Sequence, residues 1–286
     1  MKDQLSRYGI WKVENTWSPA LAKHLESFGF GTLWIGGSKD NDLQVAESML
    51  EATSTVFVAT GIVNVWSTDA DAIAQSYHRL EERYPGRFIL GVGAGHRESN
   101  PQVYDKPYTA VKHYVDRLDE LGVPQERRVL AALGDDMVRL SGRRSLGAHP
   151  YLTTPSHTEH ARQLLGPAPL LAPEQKVVLG ADRQATRAVA RPVVDHPYLQ
   201  RVNYRNNLRK LGFHDEEMVD GGSDRLIDDL VLQGTEEQVS ALLQGHLSAG
   251  ADHVAIQLLA AGEPTVESYR SLAEALGICP ADHPLS

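Results

Sequence analysis

The chain has 286 residues, of which 42% are hydrophobic and 23% charged, and its formal net charge is −9. That length suits one large α/β barrel domain or two small domains, and the composition is that of a folded globular chain and excludes a disordered one. The acidic balance, without any Lys/Arg-rich run, argues against nucleic acid or an anionic membrane surface as partner.

Cys279 is the single cysteine, which excludes an intrachain disulfide and points to a reducing cytoplasm. The twelve histidines are scattered without metal-ligand spacing. The opening residues, MKDQLSRYGIWKVENTW, lack the apolar segment of a secretory signal. No apolar run approaches the ~18 residues of a membrane span.

Short β-like runs alternate with helical ones. Strands are expected at residues 9–13, 32–37 (TLWIGG), 54–62 (STVFVATGI), from Arg87 onward (RFILGVGAGH), 127–134 (RRVLAALG), 148–154 (AHPYLTT), 175–180 (QKVVLG) and 252–259 (DHVAIQLL). Ile73, Tyr77, Leu80 and Tyr84 share one face of a helix over residues 71–84; Tyr108, Val111, Val115 and Leu118 do so over 108–121. Thr235 with Gln238 reads as a capping box and Gly250 as a stop; Thr265 caps the final helix and Gly277 ends it. Eight strand candidates in regular alternation predict a (β/α)8 TIM barrel, with a doubly wound parallel sheet as the alternative.

About seventy residues separate strands seven and eight, more than a simple crossover requires. An insertion over approximately residues 181–233 is therefore expected within one domain of 1–286. One of its helices should end at Arg191–Pro192, another should run through residues 199–211, and residues 220–225 (DGGSDR) read as a turn. It suits a lid, an oligomer surface or extra packing on the outer ring.

In such a barrel, function sits on loops at the C-terminal ends of the strands. Those ends carry Gly36, Gly37 and Ser38; Gly61, Ile62 and Asn64; Gly93, Ala94, Gly95 and His96; and Gly134, Asp135, Asp136 and Met137. Gly91, Gly93 and Gly95 alternate and so share a face. Turned toward the mouth, that face is a patch of bare backbone on which a planar ring can lie; relief of crowding or a bulge is the plainer reading. Gly134 permits a tight turn, and the N–H groups of a helix starting near Asp136 are a candidate phosphate site. Asp135 and Asp136 stabilise that same helix start and repel a phosphate. His96 is the leading acid/base candidate, with Glu98 placed to tune it and Ser38 or His149 assisting. Trp34, Trp66 and Tyr151 are candidate walls of an apolar pocket, although core or rim packing also accounts for the two tryptophans.

The segments GFGTLWIGG, VATGIVNVW, RFILGVGAGH and RRVLAALGDDMVRLSGRRSLGAHPYLTTPSHTEHAR, taken in order, resemble the luciferase-like oxidoreductases. Within these they resemble the actinobacterial branch that uses coenzyme F420, a deazaflavin. The resemblance runs from Ser18 to about Leu276. It implies a (β/α)8 barrel with an insertion after strand seven and a cofactor, F420 or alternatively FMN, across the strand C-termini. It implies a bulge with a non-prolyl cis peptide, matched here by Gly61–Ile62, a cofactor contact at Asn64, and a phosphate loop at Gly134 to Met137. Homodimers through barrel-side helices are common in the family. The polyglutamate tail of F420 calls for basic residues near the mouth, with Arg97, Lys106, Arg143 and Arg144 as candidates. Three departures stand out. Gly37–Ser38 replaces an Asp-His pair found in many F420-dependent relatives, His96 replaces a Glu found in several, and Gly134–Asp135 replaces a common Gly-Pro. Sugar-phosphate dehydrogenase chemistry is therefore not carried over. The expected activity is hydride transfer between F420 and a small organic substrate. The alternatives are an FMN-dependent monooxygenase and a cofactor-free binding barrel.

Overall fold

The computed structural model describes residues 4–96 and 106–280. Arg97 and Glu98, named above, lie outside the described residues.

The described strands are β1 (Tyr8–Val13), β2 (Thr32–Gly36), β3 (Phe57–Thr60), β4 (Val63–Asn64), β5 (Phe88–Gly93), β6 (Arg128–Ala131), β7 (Gly147–His149), β8 (Leu170–Leu171), β9 (Glu174–Leu179), β10 (Val231–Gly234) and β11 (Val254–Leu259). They pair in the order β10-β9-β11-β1-β2-β3-β5-β6-β7-β8, with β4 beside β5. Every pair is parallel. Chain neighbours are sheet neighbours from β1 to β3 and from β5 to β8, so the order reversal of a doubly wound sheet is absent. The sheet curls as a TIM barrel does, and its ends meet through residues 170–174. Ala172 N donates to Ala148 O beside β7, while Ala255 N in β11 donates to Pro173 O.

A parallel sheet covered on both faces needs nearly continuous apolar strands. β2 (TLWIG) and β5 (FILGVG) meet that need and are buried at every position. Helices α1 (Pro19–Ser27), α2 (Gln44–Ala52), α3 (Ala70–Arg83), α4 (Pro107–Glu120), α5 (Asp135–Arg144) and α6 (Pro155–Leu165) follow β1, β2, β4, β5, β6 and β7. α3 buries Ile73, Tyr77 and Leu80 as its periodicity predicts, and Asp69 caps it by accepting from Ala72 N. α4 buries Val111, Val115 and Leu118, but Tyr108 is exposed: it sits in the first turn, before the apolar stripe reaches the sheet.

After β9 come α7 (Arg183–Asp195), α8 (Val202–Lys210) and α9 (Asp224–Leu230), then β10 and α10 (Glu236–Ser248); β11 leads into α11 (Val266–Ala275). Thr235 and Gln238 form the expected capping box, and Thr265 caps α11. Pro192 does not end its helix. α7 continues to Asp195 because Val194, beyond the proline, is buried with Ala190 in a core shared with Leu199 and Tyr204. The sixth strand stops at His149, before the expected residue 154, as Leu152 adopts positive φ and Thr154 caps α6. β10, a four-residue strand (VLQG) on the second edge of β9, was not anticipated.

Candidate functional site

A cavity of about 670 Å³ opens at the C-terminal ends of the strands, a size that suits a small-molecule ligand. Trp11 of β1 lines it, as do Gly37, Ser38 and Lys39 after β2, and Gly61, Ile62 and Asn64 around the β3–β4 junction. Ala94, Gly95 and His96 enter after β5; Ala131, Ala132, Leu133, Gly134 and Met137 come from β6 and the start of α5. His149 and Tyr151 come from the end of β7, and Tyr198, Asn203 and Tyr204 from the segment before and within α8.

The β3–β4 junction forms part of the wall. The Gly61–Ile62 peptide is cis, and the Ile62 side chain turns toward β5. There it occupies the space beside the alternating glycines. A Cβ at Gly93 would come within 2.7 Å of the Ala131 Cβ and 3.0 Å of Ile62, and one at Gly91 would collide with the Thr60 carbonyl. Gly93 therefore does not line the cavity; the bare face of β5 makes room for Ile62, and Ile62 meets the cavity instead. Gly36 is likewise outside the lining, because the Trp11 ring lies where its side chain would stand.

The start of α5 opens onto the cavity at Gly134, where a Cβ would meet nothing within 4 Å. No side chain caps this helix, and its first backbone bond runs from Val138 N to Gly134 O. The earlier N–H groups therefore remain outside the helical ladder. The two aspartates do not enter the cavity. Asp135 bonds His160 Nε2 at 3.3 Å and has Lys210 at 3.9 Å, while the Asp136 side chain is largely in solvent. Burial pushes the Asp135 carboxyl up, but His160, Lys210 and Arg139 outweigh it and hold it below the usual carboxylate range. The acidic turn thus satisfies its charge on the outer side of the helix. Arg144 also lies away from the mouth, at the far end of α5, where Asp116 and Asp119 pair with it.

His149 reaches the cavity from β7, and Trp34 backs it. The two rings stack with centroids 4.2 Å apart and planes 9° from parallel. Trp34 has no exposed surface and is a support beneath the site, not part of its wall. Its indole N–H donates to His253 Nε2 at 3.0 Å. Burial drives the His149 imidazole down to about 4, so it is neutral at physiological pH. Trp66 is also outside the lining; its backbone N–H bonds the Asn64 side chain and fixes the loop after β4.

His96 lies at the cavity wall with its ring 5.5 Å from Tyr204 and 6.3 Å from Tyr198. Behind these tyrosines runs a buried polar chain. Tyr198 donates to the Tyr151 hydroxyl at 2.9 Å, Tyr151 donates to Gln257 Oε1 at 3.0 Å, and Lys176 Nζ donates to the same oxygen at 2.9 Å. Lys176 also bonds Glu174 Oε1 at 3.0 Å and lies 3.9 Å from the Tyr151 ring centre. Burial pushes Tyr198 up to about 12 and Tyr151 well above its ordinary value, so both phenols stay protonated. Ser38 forms another part of the wall, with Glu14 beside it; burial raises the Glu14 carboxyl against the opposing pull of Ser38.

Trp11, Lys39, Tyr198, Asn203 and Tyr204 were not singled out from the sequence. Trp11 lies on β1, whose end carries no glycine, and Tyr198 and Tyr204 fall in the long segment between strands seven and eight, where the expected helix over residues 199–211 carried no sign of which side chains reach the strand ends. Among the described residues no cluster of His, Cys, Asp and Glu could hold a metal ion, and no helix is long and apolar enough to cross a membrane.

Residues 18–122 match the luciferase-like monooxygenase family. The fold is similar to that of an F420-dependent secondary alcohol dehydrogenase in complex with an F420–acetone adduct, with a TM-score of 0.74 at 15% identity over 96% of this chain and 99% of that one. It is similar to the coenzyme F420-dependent tetrahydromethanopterin reductase from Methanopyrus kandleri, with a TM-score of 0.76 at 16% identity over 94% and 98%. The oxygenating constituent of 3,6-diketocamphane monooxygenase from Pseudomonas putida, in complex with FMN, aligns with a TM-score of 0.70 at 13% identity over 94% and 97%. No curated protein matches by sequence.

Proposed function

We propose that the chain is a luciferase-like oxidoreductase whose cavity takes coenzyme F420 together with a small organic substrate. In this reading β3 with β4, and β8 with β9, are single interrupted strands of a (β/α)8 barrel, and residues 181–233 are its insertion. The observation that carries the cofactor reading is the cavity's two-part character. One end is the uncapped start of α5 with open space at Gly134, which suits a phosphate; the rest is a wall of Ile62, Ala94 and aromatic rings, which suits a planar ring. The outward turn of Asp135 removes the repulsion that the sequence suggests. When bound, F420 supplies or accepts a hydride. The protein residues then have separate tasks. Gly134 and the free N–H groups after it hold the phosphate, while Ile62 and Asn64 border the ring. His96 gives or takes a proton at the substrate, with Ser38 as a second polar contact. Tyr151 and Tyr198 stay neutral and keep that wall free of charge.

Titration of the purified protein with F420 and, separately, with FMN, followed by tryptophan fluorescence or calorimetry, tests this. Micromolar or tighter F420 binding with weak FMN binding is expected. The reverse preference selects an FMN-dependent monooxygenase, and failure of both selects a cofactor-free barrel. His96→Ala should leave cofactor affinity nearly unchanged while lowering turnover of an identified substrate by ~100-fold. Unchanged turnover would remove His96 from the chemistry.

A further inference from the structure

We infer that the substrate is an aryl carboxylic acid, its apolar body held against a row of aromatic side chains and its carboxylate met by Lys39. The inference rests on reading the cavity as the site of a substrate and a cofactor, and it adds the class of substrate. Rings of the cavity wall follow one another in contact. Between ring centres, Trp11 lies 5.0 Å from Tyr151, Tyr151 5.5 Å from Tyr198, Tyr198 5.1 Å from Tyr204, and Tyr204 5.5 Å from His96. Tyr151 and Tyr198 are only partly buried and present ring surface to the cavity. Their hydroxyls are engaged behind the wall, Tyr198 donating to Tyr151 and Tyr151 to Gln257, and both phenols stay protonated. What the row offers a ligand is therefore flat apolar surface, against which an aromatic ring packs offset or edge-on.

At its Trp11 end the row meets a cation. The Trp11 ring lies over Gly36, and Ser38 and Lys39 follow Gly36 into the cavity wall. Among the described lining residues Lys39 is the one Lys or Arg, and none is Asp or Glu. Glu14 and Asp40 stand beside Lys39, but neither lines the cavity, and among the described residues no ion pair holds the Lys39 ammonium group. Its charge is available to a ligand anion. A cationic ligand is opposed twice. Lys39 repels it, and the tyrosine rings already carry a cation, with Lys176 Nζ 3.9 Å from the Tyr151 ring centre and 5.2 Å from that of Tyr198. A polyol sets its hydroxyls against ring surface that cannot pair with them. The other place for negative charge, the open start of α5 at Gly134, goes to the cofactor phosphate in the reading above. The acid group of the substrate therefore falls to Lys39.

Calorimetric titration with cinnamate and with cinnamamide, its uncharged counterpart of nearly the same shape, separates the two parts of the site. At low salt cinnamate should bind at least ~3-fold more tightly, the scale of one exposed ion pair. Lys39→Gln should bring the two compounds level, and Lys39→Arg should keep the preference. Lys39 is exposed, so both variants should fold as the parent does. Tyr198→Leu should weaken both compounds alike and leave their ratio intact. Failure of cinnamate to bind, equal binding of the two compounds, a preference that survives Lys39→Gln, or parental affinities in Tyr198→Leu would overturn the inference. So would a loss of F420 affinity in Lys39→Gln with cinnamate binding untouched, which would give Lys39 to the anionic tail of the cofactor. The cinnamate readouts need no cofactor. A cinnamate preference that depends on Lys39 in a protein that binds neither F420 nor FMN would overturn the cofactor reading alone.

Discussion

Lowering the pH from 7.5 to 5 should remove about 6 kcal/mol of folding stability, about 2 kcal/mol from each of three buried histidines. His149, His246 and His253 are each driven down to about 4, chiefly by burial. The hydrogen bonds of His253 fit only the neutral ring, and for His149 and His246 it is burial that opposes the charge. His253 Nδ1–H donates to Ser6 O while Nε2 accepts from Trp34, and His246 lies between the Thr158 hydroxyl and Gln175 Oε1. Between the unfolded value near 6.5 and the folded value near 4, the unfolded chain binds protons that the folded chain refuses. Stability is thus fully present above pH 6.5 and falls as the pH drops through this window, by about 3–4 kcal/mol per pH unit near pH 5. Glu14, Glu174 and Asp229, whose carboxyls burial raises, work in the opposite direction, while His157, also lowered by burial, adds to the loss. A total of this size is comparable to the whole stability of a typical domain, ~5–15 kcal/mol. Urea unfolding at pH 7.5, 6.5 and 5 measures it directly. His246→Gln should reduce the pH slope by one proton whatever its own cost at neutral pH. A midpoint that holds constant from pH 7 to 5 would show that the three rings accept protons within the fold.

The parts of this molecule legible in the sequence are those governed by local chemistry. Continuous apolar runs marked β2, β5 and β11, and Thr235 and Thr265 marked helix starts, because burial pattern and capping depend on residues a few positions apart. The loops at the strand ends were legible too, so His96, Ser38, His149, Gly61, Ile62, Asn64, Ala94, Gly95, Gly134, Met137 and Tyr151 all border the cavity. What the sequence could not supply was the direction of side chains across neighbouring strands. Gly93 looked like a ligand surface, yet its bare face is filled by Ile62, a residue some thirty positions earlier in the chain. Asp135 and Asp136 looked like a barrier, yet the helix turns them outward toward His160 and solvent. Trp34 looked like a wall and is the layer beneath it. Trp11, Tyr198 and Tyr204 depend on packing between distant segments, which no local pattern encodes.

The segment that brings Tyr198 to the cavity is tied to the barrel by a charged pair with no exposed surface, and removing one charge should be costly. Glu174 and Lys176 are both fully buried, two residues apart on β9 with their side chains on the same face. Burial raises Glu174 and lowers Lys176, each toward its neutral form, while their mutual attraction works against both shifts. Glu174 Oε2 also accepts from Leu152 N at 2.9 Å, which places the loop after β7, and Lys176 holds Gln257 Oε1 for Tyr151. Lys176→Met leaves a carboxylate in a dry interior with no cation, and a loss of about 3–5 kcal/mol is expected. The double variant Lys176→Met with Glu174→Gln should recover most of that loss. A glutamine oxygen still accepts from Leu152 N, no charge remains, and a neutral pair of similar volume is often as stable as the ion pair it replaces. Urea unfolding of the parent, the single and the double variant reads the difference. The double variant should also show whether the charge serves the site as well as the fold. Tyr151 loses the cation beneath its ring and Gln257 loses a donor, so the Tyr198–Tyr151 bond should loosen even where stability returns. A single variant that loses less than about 1 kcal/mol, or a double variant no better than the single, would mean that Glu174 is already protonated in the parent and that the chain of bonds from Glu174 to Tyr198 is held without ionic attraction.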